Sequence, residues 1–598
     1  NVFVRGFPGG GDAPFLTIAL ENSPIYPAPT LSFLENSQLF RIDDTIEMVE
    51  GLRGGPNPVV SNGQPGLTTN FRLKRGGEST EASAKYTVSD YGLNRIDVVA
   101  SGALDDDLYY MVGGYIKSSE GIRDAGFNSE QGNQFTVNIT KVFEKGELNL
   151  YTRQTDDRGT WYLPTPLNVE GIDANYTQIG PLNRQGTITY GPNDTTESFD
   201  FGEGRGWDGH VSGGSIKLDL GNDWQLVDRF NLTKGEANTF GLVPNGSATT
   251  VANVADNGES ATGAVTGTVY DGDTPIQQIG RWVVLKDIEA FTNDLAVSKS
   301  WEDFDTSFGI YSASTKANDW WSIGNTAYHV LQPGGELLDG IECNTDAQGC
   351  DWNYDISSVG DASTFAVYAT GTWYATTDLS IDLGLRRENH EVSYSVDEGL
   401  DGEITKALEY DETKTSWTVG ANYALNDTSG VFVRMNRGYK MPYFDDFRDN
   451  WGAYTGGNDL IQEVTQGELG YKFMNDSIQF FATAFANEVK GDTFVRRPGA
   501  PAEILTNEAY GLELDGRYSH DSGFSLSVNA TIQETEITAS ANNEGNESQR
   551  QPGWQVRVTP SYGFDIGDMY ATVYGTLSAV DDRFGNNENT VVLEGYEK

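Results

Sequence analysis

Strict alternation between apolar and polar residues is the feature that most limits the folds open to this chain. In FSLSVNATI, Phe524 to Ile532, every second residue is apolar and the residues between are Ser, Asn and Thr. LSIDLGL, Leu379 to Leu385, repeats the pattern. A period of two is typical of a β-strand with one apolar and one polar face. From about residue 80 onward there are about 19 such segments, most near the ten or so residues that a tilted strand needs to cross a bilayer.

The connections between these segments are of two kinds. Tight turns are expected at 143–147, 221–223, 375–378, 426–430, 474–477 and 520–523, and long loops at 156–209, 233–280, 317–360 and 439–459. The two kinds tend to alternate along the chain. Alternating strands with short turns at one end and long loops at the other are typical of an outer-membrane β-barrel. Closure of the barrel also removes the exposed edge strands that an open sheet would have.

A soluble β-propeller is the competing fold, and it would show a fixed repeat of about 40–50 residues. The irregular long loops do not fit such a repeat. Aromatic residues at strand ends, such as Tyr109, Tyr110, Trp373, Tyr374 and Phe432, fit the aromatic girdles of a membrane barrel. We therefore predict an all-β transmembrane barrel, antiparallel throughout.

Composition narrows the possible partners. The chain of 598 residues has a net charge of −47, so a nucleic-acid partner is not expected, since phosphate binding needs Lys and Arg. Adaptation to a saline habitat is the simplest interpretation of this charge. Aromatic residues make up 12% of the chain, more than a disordered chain would carry. No stretch approaches the 18 or so consecutive apolar residues of a membrane helix.

The cysteines and histidines indicate neither a metal site nor a cofactor. Cys343 and Cys350 form a lone pair in CNTDAQGC, which predicts a disulfide that closes a small loop in an oxidising compartment. A zinc site would need more ligands nearby. The four histidines, which are expected to be solvated or loop residues, are His210, His329, His390 and His520.

Residues 1–77 differ from the rest, because they are rich in Gly, Pro and Asn with only brief apolar runs. We predict a small α+β unit here, followed by the barrel at 78–598. A barrel of about twenty strands has a wide lumen, which this unit could fill as a plug. The glycine-rich stretch Glu50–Gly66 is not a phosphate loop, since no Gly-Lys-Ser/Thr follows a strand.

Motifs along the whole chain resemble those of TonB-dependent outer-membrane receptors. VRGF at 4–7, IEMVEGLRGGP at 46–56 and SNGQPGLTTNFRLKRG at 61–76 are similar to the plug motifs of that family. RGYKMPYFDDF at 437–447, EVTQGELGYKF at 463–473 and NEAYGLELDGRY at 507–518 are similar to its barrel motifs. The resemblance implies a barrel of 22 strands when complete, with the plug inside the lumen.

The chain departs from the family pattern in several places. It has RGGP where RGP is usual, and Gly66-Leu67 where two glycines are common. Neither the TonB box nor the aromatic residue that usually ends the last strand is present. We therefore expect a leading segment and about three closing strands to lie outside this sequence.

The resemblance implies a set of plug–barrel ion pairs. In the family, two plug arginines meet two glutamates of the barrel wall, and Arg5, Arg53, Glu468 and Glu513 occupy the matching positions. Such pairs would hold the plug firmly yet allow its release, because their attraction is offset by desolvation. A purely structural role and a gating role both remain open. If Arg53 meets Glu468, charge reversal at both positions is expected to restore uptake that reversal at either one alone impairs.

A ligand site is expected at the outer face, between the plug apices and the long loops. The candidate plug residues are Phe7, Asp12 and Tyr26, and the candidate loop residues are Trp161, Tyr162, Trp207, Trp320, Trp321, Trp352, Tyr354, Trp451 and Tyr454. Aromatic faces offer stacking area with little loss of entropy and suit sugars or aromatic chelates alike. Packing of the loops against one another is an equally good explanation for about half of these rings.

The long loops are acidic. Loop 317–360 carries seven acids, and a loop at 235–280 is also rich in them. A mouth of this charge disfavours strongly anionic ligands relative to neutral or cationic ones. Carboxylates could also hold Ca²⁺, but no loop has EF-hand spacing.

The resemblance implies an active importer that performs no chemistry itself. It would bind a scarce nutrient, a ferric siderophore or an oligosaccharide, and import it using TonB and its inner-membrane energising complex. The expected location is the lipopolysaccharide-bearing outer membrane. A passive porin-like channel and a surface adhesin are the alternatives. An enzyme would need a convergent catalytic set that the four histidines do not provide.

Overall fold

The computed structural model describes residues 5–7, 15–27, 31–62, 65–166, 169–256, 258–341, 352–494 and 503–598. The predicted ligand residue Asp12 and the predicted disulfide of Cys343 and Cys350 lie outside these described residues. Within the described residues helices are few and short: α1 (Asn57–Val60), α2 (Phe444–Asp449) and α3 (Trp451–Thr455). Turns of 3₁₀ helix occur at Asn36–Gln38, Phe201–Glu203 and Val251–Asn253. No helix in the described part of the chain is both long and apolar enough to cross a bilayer.

The N-terminal unit is built on a four-stranded sheet. Its strands are β1 (Leu16–Leu20), β2 (Ser23–Pro24), β3 (Ile46–Arg53) and β4 (Leu67–Leu73), in the order β2-β1-β4-β3. Strands β1 and β4 run parallel, whereas β3 and β4 run antiparallel. The buried apolar residues of this unit belong to one core together with residues of the barrel wall. The unit therefore lies inside the lumen, as a plug.

The remaining strands account for nearly all other regular structure. The strands from β5 to β19 are β5 (Glu81–Val88), β6 (Asn94–Asp105), β7 (Leu108–Ser119), β8 (Glu130–Phe143), β9 (Gly146–Gly159), β10 (Gln185–Tyr190), β11 (Thr195–Asp200), β12 (Arg205–Gly221), β13 (Trp224–Thr250), β14 (Ser260–Gly263), β15 (Val269–Asp271), β16 (Pro275–Ser300), β17 (Phe304–Ile323), β18 (Thr326–Val330) and β19 (Leu338–Asp339). The strands from β20 onward are β20 (Tyr354–Tyr374), β21 (Leu379–Glu398), β22 (Ile404–Asn426), β23 (Ser429–Lys440), β24 (Gln462–Met474), β25 (Ile478–Phe494), β26 (Glu503–Ser519), β27 (Phe524–Ala539), β28 (Trp554–Ile566), β29 (Met569–Tyr574), β30 (Leu577–Val580), β31 (Arg583–Phe584), β32 (Val592–Leu593) and β33 (Tyr596–Glu597).

In the described residues, 22 strand segments follow one another around a closed barrel. At two places in this barrel, two consecutive strand segments pair with the same neighbouring strand. Strands β17 and β18 both pair with β16, and β29 and β30 both pair with β28. Strand β33, which stands between β30 and β5 in this order, contributes only two residues. The predicted fold class, an antiparallel transmembrane barrel around a plug, is confirmed, and the predicted boundary at 77/78 falls between β4 and β5.

Short and long connections alternate as the sequence pattern indicates. Turns of two to four residues occur, for example, at 222–223, 301–303 and 375–378, and the opposite ends carry long connections such as 160–204 and 441–461. The predicted loop at 233–280 was too long, because β13 continues to Thr250 and β16 begins at Pro275. These strands extend beyond the bilayer, where side chains facing out are polar and the alternation that marks a strand disappears.

Alternation gives the barrel two different faces. On β17, Phe308 and Ile310 point outward and are 56% and 46% exposed, whereas Tyr311 and Ala313 are buried on the lumen side. The outward apolar residues form the surface that meets the acyl chains, since a lipid-facing band is apolar.

The extracellular connections include a small sheet organised around one carboxylate. Strands β14, β15 and β19 form this sheet, and the Glu336 side chain lies fully buried beside it. Its carboxylate accepts from the backbone N–H groups of Val265 and Thr266 at 2.9 Å, from Tyr270 Oη at 3.0 Å and from the Thr266 hydroxyl. Burial acts to raise the pKa of Glu336, but these hydrogen bonds outweigh it and hold the pKa below its usual value.

Because Phe308 on β17 faces the lipid, a charged residue in its place should lower the stability of the barrel. Phe308→Arg is expected to lower the free energy of unfolding by about 2–4 kcal/mol, because the guanidinium would lie in the hydrocarbon layer. Denaturant titration in lipid vesicles, followed by tryptophan fluorescence, measures this change. Asn318→Arg, further along the same strand face, should cost much less, and equal costs would contradict the assignment.

Glu336 predicts an acid-sensitive loop sheet. Because its folded pKa lies below its unfolded value near 4.5, its stabilisation is present above that pH and is lost as the pH falls through the folded pKa. Hydrogen exchange of residues 260–271 should therefore accelerate on acidification, after correction for the intrinsic rate. Glu336→Gln should give fast exchange already at neutral pH. If the exchange of this variant depends on pH in the same way as that of the unsubstituted protein, Glu336 does not stabilise the sheet.

Candidate functional site

The plug apex meets a ring of aromatic side chains. The Phe33 ring centroid lies 6.1 Å from Trp161, 5.6 Å from Trp282 and 4.9 Å from Trp321. The backbone carbonyl of Phe33 accepts from Thr239 Oγ1 at 2.8 Å, which ties the apex to the wall. Trp161 and Trp282 are only partly buried, so part of this aromatic floor remains accessible.

An extracellular loop folds into the lumen above the apex. Residues 441–461 carry α2 and α3, and Phe444 and Phe447 are buried in the core shared with the plug. The backbone N–H of Ser32, on the plug, donates to Asp445 Oδ2 at 2.5 Å. This loop therefore contacts the plug directly.

Arg448 organises the charges of the inserted loop. Its guanidinium donates to Asp445 at 2.8 Å and to Asp449 at 2.9 Å, and lies 4.0 Å from the Trp321 ring centroid. Burial acts to lower the pKa of Arg448, but the neighbouring carboxylates raise it well above its usual value. The guanidinium therefore stays charged, and it fixes the loop as a cation held between acids and an aromatic face.

Several buried polar groups under this loop have no protein partner in the described residues. They are Tyr26 Oη, Trp321 Nε1 and Asp319 Oδ2. Burial raises the pKa of Tyr26 well above its usual value, with the carboxylate of Asp319 adding to the effect. Unpaired buried polar groups are costly, so these are points where a bound molecule or water would be favourable.

Arg5 forms an ion-pair network between the plug and strands β24 and β26. Its Nε and Nη2 donate to the two carboxylate oxygens of Glu513 at 3.1 and 2.8 Å, and Nη1 donates to Glu468. Asn487 Nδ2 donates to the Arg5 carbonyl at 2.8 Å. Burial acts to lower the pKa of Arg5, but the two carboxylates outweigh it and the pKa is raised. The bidentate contact fixes the orientation of the side chain.

Arg53 lies on the more exposed side of the same network. Its Nη1 is 3.3 Å from Glu513 Oε1, and its Nη2 donates to Asp515 at 2.9 Å. Glu468 is shared instead between Arg5 and the backbone N–H of Gly55, which donates at 3.2 Å. The expected charge-reversal pair of Arg53 with Glu468 is therefore replaced by Arg53 with Asp515, a residue that the motifs did not single out.

The extra glycine in RGGP has a geometric explanation. Gly54 and Gly55 both have positive φ, 59° and 61°. A Cβ on Gly54 would lie 2.6 Å from Glu468 Oε1 and 2.8 Å from Arg5 Nη1. A side chain at Gly54 would displace the ion pair, so the glycine permits the close approach.

A second anchor joins the plug to β8 and β9. Arg153 and Asp43, both fully buried, form a pair at 3.2 Å, and Gln134 Nε2 donates to Asp43 at 2.6 Å. Arg41 Nε donates to Asp157 at 2.8 Å. None of these anchor residues was among the predicted site residues. The available signal was a set of charged residues at lumen-facing positions of alternating strands, which no motif marks.

The predicted ligand residues separate into different environments. Phe7 packs against Phe15 at 5.2 Å in a small buried cluster at the wall. Tyr162 Oη lies 3.0 Å from the Ser129 hydroxyl. Trp451 and Tyr454, with ring centroids 5.9 Å apart, belong to the inserted loop.

Trp320 and Trp321 are both predicted to be ligand residues of a long loop, but both belong to strand β17. Adjacent strand residues point to opposite faces. Trp321 is therefore buried in the lumen core, whereas Trp320 packs against Tyr190 of the β10–β11 hairpin, with ring centroids 4.9 Å apart. Trp207, Trp352 and Tyr354 also lie in or against the lumen core.

A β-barrel closed by an internal plug, with an aromatic mouth outside and ion-pair anchors on the plug, has the architecture of an outer-membrane receptor. The family model for the TonB dependent receptor-like β-barrel matches residues 143–597. The chain belongs to the TonB-dependent receptor family, whose members are receptors and transporters, not enzymes.

Solved structures share this fold at low sequence identity. The ferric yersiniabactin uptake receptor FyuA from Yersinia pestis has a TM-score of 0.70 at 16% identity, covering 100% of this chain and 82% of that one. BauA, the ferric preacinetobactin receptor from Acinetobacter baumannii, has a TM-score of 0.68 at 14% identity, covering 100% and 81%. The ferric citrate transporter FecA has a TM-score of 0.70 at 12% identity, covering 99% and 81%. No curated protein matches the sequence.

The Arg5 network predicts how firmly the plug is held. Glu513→Gln should weaken plug attachment by about 3–5 kcal/mol, because removing one member of a buried ionic network leaves charge uncompensated. The measurement is the urea concentration at which a cysteine introduced into the plug becomes reactive to a thiol reagent while the barrel stays folded. Glu508→Gln, on the same strand but exposed, should change the free energy of plug attachment by less than about 0.5 kcal/mol. Equal midpoints for the two variants would show that the network does not hold the plug.

Proposed function

We propose that this receptor binds a ferric siderophore at the cell surface and imports it into the periplasm, driven by TonB. The plug anchored by Arg5 to Glu468 and Glu513 is the observation that carries the proposal. A lumen filled by an anchored plug does not pass a bulky ligand without displacement of the plug. That displacement needs an energy source, and a pull by TonB would supply it.

The mouth supports a ligand with flat, rigid groups. The aromatic floor around Phe33 offers stacking faces at Trp161 and Trp282, and Trp352 lies 6.3 Å from Trp282. Aromatic contacts of this kind favour aromatic chelators or sugar rings. The three structural neighbours named above are described as receptors or transporters of ferric chelates, which supports a chelate ahead of a sugar.

An oligosaccharide remains the second candidate, and a specific observation favours it. The acidic extracellular loops repel strongly anionic ligands, so a neutral glycan would meet less resistance than a highly charged chelate. A neutral or cationic ferric complex meets the same condition. We therefore favour a ferric siderophore of low negative charge.

In a passive channel or an adhesin, unlike in an importer, the plug would not have to move. A passive channel would conduct without displacing the plug, and an adhesin would not need it to move. The direct contact from the inserted loop to the plug, Asp445 with Ser32, gives an importer a route from ligand binding to plug release. Neither alternative uses such a route.

Uptake in a strain that carries this protein as its only receptor of the class tests the proposal. We expect accumulation of radioactive iron from a weakly charged ferric siderophore with an intact TonB, and surface binding alone without TonB. Trp282→Ala should weaken surface binding by about tenfold, as loss of a stacking face predicts.

Trp301→Ala is the matched control, because this half-exposed ring lies at the turn between β16 and β17, at the other end of the barrel. It should leave binding unchanged. Uptake that persists without TonB would support the passive channel. TonB-dependent growth on a glycan, with no iron phenotype, would establish the oligosaccharide instead.

A further inference from the structure

The inserted loop, residues 441–461, covers a part of the lumen wall. Most of α2 is buried, whereas Gly452 and Thr455 of α3 above it are exposed. Helix α2 therefore faces the wall and the plug, and α3 faces the mouth. The loop has the position of a lid over this side of the lumen.

Three side chains of α2 each meet an aromatic ring of the wall. The ring-centroid pairs are Phe444 with Tyr394 at 5.7 Å and Phe447 with Tyr410 at 5.0 Å, and the Arg448 guanidinium lies 4.0 Å from the Trp321 centroid. Gly360 of β20 makes room for the first ring, because a Cβ there would lie 2.3 Å from Phe444 Cδ1. The wall surface formed by Trp321, Gly360, Tyr394 and Tyr410 is called the covered site below. It accommodates two flat rings and one planar cation.

Unpaired polar atoms adjoin the covered site. Tyr26 Oη, Asp319 Oδ2 and Trp321 Nε1 are buried and have no hydrogen-bond partner in the part of the chain that the structure describes. Lys286 pairs with the other carboxylate oxygen of Asp319. The closed loop leaves the three atoms buried without bonding to them, which costs stability. They are therefore available to a molecule that replaces the loop, as two donors and one anionic acceptor.

Arg448 carries its own counter-charges. Its guanidinium donates to Asp445 at 2.8 Å and to Asp449 at 2.9 Å, and all three residues belong to α2. Removal of one partner from a buried ion pair is costly, because it leaves the other charge uncompensated. Movement of α2 as a unit avoids this cost at Arg448.

Lys440, at the end of β23, is the wall cation that the loop would leave behind. It donates to Asp446 of α2 at 3.2 Å. It also attracts the buried carboxylate of Asp492 on β25, which remains beside it when the loop moves away. Opening of the loop therefore leaves neither of these two buried cations without a carboxylate.

We propose that the inserted loop is a lid that opens, and that the covered site then binds a ligand with a flat ring and a planar cation. The ring takes the place of Phe444 or Phe447. The cation takes the place of Arg448 on the Trp321 ring, near Asp319, which Arg448 already attracts. A ligand captured at the aromatic floor enters this site next. That place in import rests on the proposed function, whereas the chemistry of the covered site does not.

Benzamidinium, a flat ring that bears a planar cation, is the probe for the covered site. Because it binds only the open form, it should raise hydrogen exchange of amides 443–449 about tenfold at ten times its dissociation constant for that form. Hydrogen exchange of the purified protein, read by mass spectrometry, measures this change. Benzamide, which has the same shape without the charge, should have a much smaller effect. Unchanged exchange up to the solubility limit of benzamidinium, or an equal response to benzamide, would overturn the proposal.

Tyr26→Phe separates a ligand contact from a structural one. It removes an oxygen that the closed loop leaves unpaired, so exchange without the probe should stay the same or slow. The response to benzamidinium should fall about fivefold, the worth of one hydrogen bond. Tyr176→Phe is the matched control, since its hydroxyl is equally buried and unpaired within the described residues but lies in the connection between β9 and β10. Equal losses in the two variants, or faster exchange of Tyr26→Phe without the probe, would contradict the assignment.

The double variant Lys286→Met with Asp319→Asn tests the acceptor. It removes the charge of Asp319 without leaving Lys286 buried and unpaired. The response to benzamidinium should then fall to that of benzamide. A response that keeps its size would exclude Asp319 as the group that meets the cation.

A disulfide between the lid and the wall tests the role in import. In Gly360→Cys with Phe444→Cys the two sulfurs are within bonding reach, because a Cβ at position 360 would lie 2.7 Å from Phe444 Cγ. Oxidation should leave surface binding of the ferric siderophore intact and lower uptake of radioactive iron at least about tenfold, and a reductant should restore uptake.

The matched control is Ser525→Cys with Ser561→Cys, which links β27 to β28 where the two hydroxyls lie 2.6 Å apart. Its oxidation should not change uptake. Equal uptake by the oxidised and reduced lid variant would overturn the lid. If the unsubstituted protein takes up no iron, the proposed function fails instead, and the exchange response to benzamidinium still decides whether the covered site exists.

Discussion

The bilayer leaves no water to pair with exposed backbone polar groups, and this constraint shapes the whole molecule. Each N–H and C=O in the hydrocarbon layer needs a partner on a neighbouring strand, so the sheet has to close. A closed sheet of this many strands encloses a wide lumen. The plug formed around β1 to β4 fills it, and its core is continuous with the inner face of the wall.

Ion pairs hold the plug in a fixed orientation and still allow its release, which apolar packing alone cannot do. A plug held only by a continuous apolar core would be stable but hard to release. The two anchors, Arg5 with Glu468 and Glu513, and Arg153 with Asp43, fix orientation while gaining little net energy over desolvation. They attach the plug at β24–β26 and at β8–β9, two separate parts of the wall.

The site residues that belong to short sequence motifs could be predicted from the sequence. The motifs indicated Arg5, Arg53, Glu468 and Glu513, and the structure brings them into one network. Trp320 and Trp321 show the opposite case, because a one-residue difference within a strand sends one ring to the lumen and the other to the outer wall. The second anchor could not be predicted, since more than a hundred residues separate Arg41 and Asp43 from Arg153 and no sequence motif marks any of the three.

The sequence by itself determined the strand period, the antiparallel barrel, the plug and the membership of a receptor family. These follow from side-chain alternation and short motifs, which are properties of neighbouring residues. Only the tertiary structure decided which side chains meet. Gly54 is needed because Glu468 and Arg5 come together beside it, and Lys286 meets Asp319 only through strand register. Register depends on how distant strands align, and pairing across a barrel is a long-range outcome that no local pattern encodes.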